Sequence, residues 1–200
     1  MRVGVLCEFS GVVRDAFIRR GHDAVSCDLL PTESPGPHIQ GDCLTHDWSR
    51  YDLLICHPPC TYLCSMGVWW NHKRPERWSD TASADHFFMD LWNLPVSRIV
   101  VENPIGIMST RFRKPDQIIN PWQFGHGTNK PTCLWLRGLP LLAPTKIVGK
   151  GEFYVKSNGS RLSKWSHKIS GRSSERAKNA SRTFVGIAEA MAEQWGGLEC

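Results

Sequence analysis

The chain has 200 residues, 41% of them hydrophobic and 22% charged, with a net charge of +5. That length and balance fit one folded domain with a sizeable core and exclude a disordered or low-complexity chain. No apolar run approaches the ~18 residues of a membrane span, and Glu8 breaks the apolar start, so neither a membrane segment nor a signal peptide is expected.

Residues 3–7 form a short apolar run that predicts a first strand. After Glu8-Phe9-Ser10-Gly11, the stretch VVRDAFIRRG sets Val12, Val13, Phe17 and Ile18 near helical spacing, with Gly21 as a stop. Residues 24–27 predict a second strand ending at Asp28, residues 39–42 a short extended piece, and residues 51–56 a buried strand. Residues 75–94 have helical spacing through Ala84, Phe87, Phe88, Leu91 and Trp92. Residues 99–101 predict a buried strand ending at Glu102-Asn103-Pro104, residues 133–136 another, and residues 184–195 a final helix. Short strands alternating with helices predict an α/β fold over residues 1–200, a mostly parallel sheet with helices on both faces.

Eight cysteines without an export signal read as reduced thiols of a cytoplasmic protein. Cys7, Cys27, Cys56 and Cys133 sit in apolar runs and are expected in the core. Cys56, Cys60 and Cys64 recur every four residues but lack a Cys-x-x-Cys knuckle, so no metal centre is expected. In a parallel sheet, ligands sit beyond the carboxyl ends of the strands. Those ends present Phe9-Ser10-Gly11, Asp28, Asp42, Pro59-Cys60 and Glu102-Asn103. Asp28 follows Phe9 by nineteen residues, near the ~20-residue spacing of a ribose-binding carboxylate. A lone Gly11 suits a nucleoside cofactor without a pyrophosphate. Asp28 reads equally well as a turn residue.

His57-Pro58-Pro59-Cys60 forces the chain out of its strand and mounts one thiol stiffly at the sheet's edge. A buried structural thiol is the alternative to a nucleophile. Glu102 is either catalytic or a helix cap, and Asn103-Pro104 argues against a helix start. Trp69 and Trp70, beside Lys73 and Arg74, combine stacking faces with phosphate partners, or else belong to the core.

In their order, these motifs resemble the catalytic domain of cytosine-carbon-5 DNA methyltransferases, in particular short phage-type members without a separate target-recognition domain. Phe9-Ser10-Gly11 is similar to the first motif, and the resemblance implies that S-adenosylmethionine is held by Phe9, Ser10, Gly11, Asp28, Asp42 and Pro59. Pro58-Pro59-Cys60 matches the nucleophile motif and Glu102-Asn103-Pro104 the Glu-Asn motif. The resemblance implies a Rossmann-like methyltransferase fold, a Cys60 thiolate adding to cytosine carbon 6, and Glu102 relieving charge at ring nitrogen 3. It also implies a cytosine that is flipped or single-stranded, with a loop at Trp69-Trp70 closing over it. Residues 181–195 look like the family's last helix. There are departures. His57 stands where the family usually has Gly, Thr61 where Gln is common, and Pro104 where Val is more frequent. Lys130, in TNKPTCLWL, is the nearest equivalent of a missing arginine motif.

The segment 146–182 has ten basic and two acidic residues, a net charge of +8 against −3 elsewhere. It reads as a mobile basic insertion that contacts DNA phosphates through Lys164, Lys168 and Arg172, or as a merely solvated loop. Other functions fit less well. A zinc deaminase needs His-x-Glu and Pro-Cys-x-x-Cys, which the chain lacks. A nicotinamide dehydrogenase needs a glycine fingerprint that is absent. A relative transferring a modified group or acting on RNA, and a non-catalytic nucleic-acid binder, stay open.

Overall fold

The computed structural model describes residues 1–165 and 174–198. Among the described residues, nine strands run in chain order as β1 (Arg2–Leu6), β2 (Asp23–Asp28), β3 (His38–Gln40), β4 (Leu53–Cys56), β5 (Ile99–Pro104), β6 (Gln117–Ile119), β7 (Thr132–Arg137), β8 (Phe153–Val155) and β9 (Arg161–Ser163). The helices are α1 (Val12–Arg19), α2 (Ser65–Asn71), α3 (Arg77–Trp92), α4 (Met108–Arg111), α5 (Ser174–Ser181) and α6 (Val185–Gln194). No helix among the described residues is long and apolar enough to cross a membrane.

Seven strands make one sheet in the order β3-β2-β1-β4-β5-β7-β6. β1 to β5 pair in parallel, with Val5 opposite both Ser26 and Ile55. β7 inserts antiparallel, with Val101 opposite Trp135. Because side chains alternate across a strand, the apolar runs feed two cores at once. Val3, Val5, Leu53, Ile55 and Val100 face α1 and α6. Leu6, Leu54, Cys56, Ile99 and Val101 face α3, where Phe88 meets Trp135 edge-on at 5.1 Å. Such an aromatic pair contributes about 0.5–1.5 kcal/mol beyond its buried area. Helices on both faces of a mostly parallel sheet are the Rossmann-like α/β architecture expected from the sequence.

The structure corrects several sequence expectations. Cys7 lies just past β1 with φ 58° and is half-buried, so it is not a strand core residue. The region 75–94 starts its helix only at Arg77, and a separate α2 precedes it. Trp69 and Trp70 therefore sit on a helix, not a loop. β5 does not stop at Val101, because antiparallel pairing with β7 carries it through Glu102 and Asn103 to Pro104. Separately from these corrections, the described residues of the segment 146–182 include a two-stranded hairpin, β8–β9, and α5.

Strand order reverses between β1 and β4. The chain steps outward from β1 to β2 and β3, returns to β4, and continues the other way to β5. The carboxyl ends of β1 and β4 therefore splay their loops apart and leave a crevice, the usual ligand position in such sheets.

Candidate active site

The first wall of the crevice is the turn after β1. Glu8 is buried, and its carboxylate accepts the N–H groups of Val13 (2.6 Å) and Arg14 (3.2 Å), which caps α1. Burial raises the Glu8 carboxyl above its ordinary value, against the pull of His57 and these N–H groups. Ser10 donates to Glu8 at 3.3 Å. Gly11 has φ 73°, and a Cβ there would strike the Arg14 guanidinium, so only glycine fits without strain. Arg14 is fully buried and donates to Ser26, Thr32 and the Ser34 carbonyl, which fixes the loop after β2.

The cleft beside this turn is lined by Asp28, Leu29, Gly41, Asp42, Cys43 and Pro59, with Cys7, Cys27 and Phe87. Three of the expected cofactor residues, Asp28, Asp42 and Pro59, thus meet in one place. Asp28 accepts the Leu30 N–H at 2.9 Å, and burial raises its carboxyl. Asp42 accepts the Leu44 N–H at 2.9 Å. Two carboxylates among apolar walls suit a ligand with a planar ring and hydroxyl or amino donors. Phe9, Ser10 and Gly11 do not line this cleft. The Phe9 ring is buried beneath Lys178 and Arg182, each 5.9 Å from its centroid. Arg182 in turn makes a bidentate contact to Glu33 at 2.8 and 2.9 Å.

The second wall carries Cys60. Its carbonyl accepts the N–H groups of Leu63 (3.1 Å) and Cys64 (2.9 Å), a tight turn directly after the two prolines. This turn is clamped to the chain beyond β5: Ser65 donates to the Ile105 carbonyl at 3.1 Å and Ile107 to the Leu63 carbonyl at 2.9 Å. The approach is close enough that a Cβ on Gly106 would overlap the Leu63 carbonyl. Buried Asn103 donates to the Pro58 carbonyl at 2.8 Å. The Glu-Asn motif therefore holds the proline pair as well as supplying a carboxyl group.

Electrostatically the corner is dense. The Cys60 thiol is pushed up by its hydrogen bond with Cys64, by burial and by the negative charge of Glu102, while Lys130 pulls it down. Cys64 moves the other way, to about 6, because it shares that hydrogen bond and the Gly67 N–H points at its sulfur at 3.4 Å. For Glu102, burial opposes ionisation. The hydrogen bond and charge of His57, then Lys130 and Thr132, outweigh it and hold the carboxyl below its ordinary value. The Lys130 ammonium donates to the Ala180 carbonyl at 2.8 Å. Glu102 and Lys130 thus both bear on the Cys60 thiol, Glu102 against its ionisation and Lys130 in its favour, and Lys130 also favours the ionised Glu102.

Of the expected nucleic-acid residues, Trp69 and Trp70 lie on α2, which starts directly after the Cys60–Cys64 turn, and Lys73 and Arg74 follow it. Trp69 and Trp70 are 50% and 44% exposed and meet edge-on at 5.0 Å, so they are not core. Arg74 lies 6.0 Å above the Trp70 ring, and Lys73 is exposed. Lys164 is paired with Glu152 at 2.7 Å. Lys168 and Arg172 lie outside the described residues. Sequence reasoning missed Glu8, Asn103 and the partnership of His57 with Glu102. Only an acidic residue just before the α1 pattern, and the Asn beside Glu102, signalled the first two.

No family model and no curated protein matches the sequence. Among solved structures, the chain is similar to a prophage-encoded E. coli protein assigned as a DNA modification methyltransferase, at 14% identity and a TM-score of 0.48. The match covers 74% of this chain and 52% of that one. It is also similar to the S. pombe Dnmt2 methyltransferase, at 18% identity and a TM-score of 0.44, over 76% of this chain and 50% of that one. The chain spans about half the length of these structures.

Proposed function

We propose that this protein transfers a methyl group from S-adenosylmethionine to carbon 5 of cytosine in DNA, through a covalent adduct with Cys60. The observation that carries the reading is the clamped Pro58-Pro59-Cys60 turn. Asn103 holds its carbonyl, the charges of Glu102 and Lys130 bear on its thiol, and it borders a cleft lined by Asp28 and Asp42.

Carbon 5 of cytosine is a poor nucleophile. The Cys60 thiol gives its proton to the Cys64 sulfur with which it shares a hydrogen bond, and the resulting thiolate adds to carbon 6, turning the ring into an enamine that attacks an electrophile from carbon 5. The rigid turn aims the sulfur perpendicular to the ring, which converts orientation into rate. Glu102 handles the proton at ring nitrogen 3, where negative charge develops. Bound S-adenosylmethionine supplies the electrophilic methyl group. Asp28 and Asp42 would hold it by its hydroxyl and amino groups, with Pro59 against it. Loss of the carbon-5 proton then expels the Cys60 thiolate. The base reaches the sulfur only outside a duplex stack. Trp69 and Trp70 offer stacking faces, Lys73 and Arg74 phosphate contacts, and the basic segment 146–182 a sequence-neutral hold on the backbone.

The test is incubation with S-adenosylmethionine labelled on the methyl group, together with single-stranded DNA, duplex DNA or RNA, followed by nucleoside mass spectrometry. Labelled 5-methyldeoxycytidine is the expected product. Label in RNA cytosine alone moves the substrate assignment, and no label in any nucleic acid overturns the reading.

A further inference from the structure

His57 immediately follows β4, and its backbone N–H donates to the Leu6 carbonyl at 2.9 Å. Its side chain is only 8% exposed, and Nδ1 lies 3.4 Å from Oε2 of Glu102, itself 20% exposed. The other ring nitrogen, Nε2, is buried without a partner. Leaving a buried polar atom unpaired destabilises a fold. A histidine kept for packing alone would gain by becoming apolar, so this one is retained at a cost to stability. Two carboxylates act on it. Glu102 does so from β5 and Glu8 from the turn after β1, where Arg14 also bears on Glu8. Lys130, before β7, acts on the same Glu102.

Resting on the reading above, we propose that His57 is a positioning residue for the proton of Glu102, its imidazolium supplying through Nδ1 the proton that Glu102 presents to cytosine nitrogen 3. The need follows from the site. Glu102 is held in its ionised form by its neighbours, and a carboxylate has no proton to give. As the Cys60 sulfur–carbon 6 bond forms, the ring's electron pair moves toward nitrogen 3. The Nδ1 proton passes to Glu102 Oε2, and the neutral acid protonates nitrogen 3, leaving imidazole neutral. On elimination the proton returns from nitrogen 3 to Glu102 and then to His57. The carbon-5 proton leaves to water, its bonding pair forms the carbon 5–carbon 6 double bond, and the carbon 6–sulfur bond breaks with its pair returning to the sulfur. The pair thus ends as it began. Once the pair has lost that proton, turnover falls.

The experiment compares the pH dependence of methyl transfer in wild type, His57→Gln and His57→Asn, with circular dichroism and melting to establish that each variant folds. Without His57 the proton must rest on Glu102 alone, so the alkaline limb moves to lower pH. Above neutrality the rate falls on the order of 10²-fold, the scale of one general-acid contribution. Infrared titration of a 13C-labelled Glu102 carboxylate, without substrate, reads the pair independently of turnover; its midpoint rises in His57→Gln. A rate lowered equally at every pH, or an unmoved carboxylate titration, overturns the inference while leaving the function standing. Wild type that transfers no methyl group to any nucleic acid removes the function, and this inference with it.

Discussion

The corner at the ends of β1, β4 and β5 and the basic segment 146–182 are built on opposite principles. In the corner the backbone is tied down by specific hydrogen bonds, while His57 Nε2 and Asn103 Oδ1 stay buried without a partner. Glu8 caps α1, Asn103 holds Pro58, and two loops clamp each other across Gly106. In the basic segment, the hairpin β8–β9 pairs over three residues per strand and its side chains are mostly exposed, with Lys164 on Glu152 as an ion pair. Bond formation at one carbon demands an aimed sulfur, whereas contact with a phosphate chain demands only charge within reach. Rigidity is concentrated where the proposed chemistry requires it.

If that contrast holds, changes in the corner act on rate or stability and changes in the basic segment act on affinity. The largest effect belongs to Cys60→Ser, which should abolish transfer while circular dichroism and melting stay as in wild type. Next comes Gly106→Ala, where the added methyl meets the Leu63 carbonyl. Overpacking of this kind should cost about 1–3 kcal/mol, read as a lower denaturant midpoint, and should misplace Cys60 as well. A full-rate, full-stability variant would break the claim that the turn is clamped. Asp28→Ala should weaken binding of S-adenosylmethionine or its demethylated product by roughly 1–3 kcal/mol in calorimetry, the scale of a charged hydrogen bond.

Glu102 sharpens the comparison through pH. Its carboxyl is held below the ordinary value of 4.5, so its ionised form stabilises the fold. That contribution is present above the unfolded value and disappears as pH falls through the lower folded one. Melting temperatures of wild type and Glu102→Gln should therefore keep a constant offset near neutrality and converge as pH falls through the acid range. The smallest effect is expected from the basic segment. Neutralising Lys156, Arg161 and Lys164 should leave stability unchanged and weaken DNA binding similarly for all sequences. It should lower the salt slope by about 0.9 for each duplex phosphate that the variant no longer neutralises. Failure to bind one sequence alone would mean that the segment reads bases.

How much of this is legible in the chain depends on where each element gets its stability. β1, β4 and β5 are visible as apolar runs because both of their faces are buried, and α6 because its apolar residues recur toward one core. β6, at three residues, exists only because β7 pairs with it, and nothing local marks it. α2, SMGVWWN, has poor helical composition and is set by the Cys64 turn and its neighbours, so its sequence reads as a loop. Motif order singles out Cys60 and Glu102, with Lys130 as the nearest equivalent of a missing motif, and in the structure Glu102 and Lys130 both bear on the Cys60 thiol. The roles of Glu8, Asn103 and His57 are not legible, since each depends on a partner that the local pattern does not name. Motif order sets Phe9 against a ligand, yet its ring lies under Lys178 and Arg182, from a segment that no local pattern links to β1.

The central claim is that Cys60 forms a bond to cytosine. It is tested most directly with DNA carrying 5-fluorocytosine in the presence of S-adenosylmethionine. Fluorine cannot leave carbon 5 as a proton does, so elimination is blocked and the sulfur stays bonded to carbon 6. A gel-shifted adduct, mapped by mass spectrometry to Cys60 and absent in Cys60→Ser, is the predicted result. Turnover on ordinary cytosine with no adduct on the fluorinated base, or an adduct that survives Cys60→Ser, would contradict it.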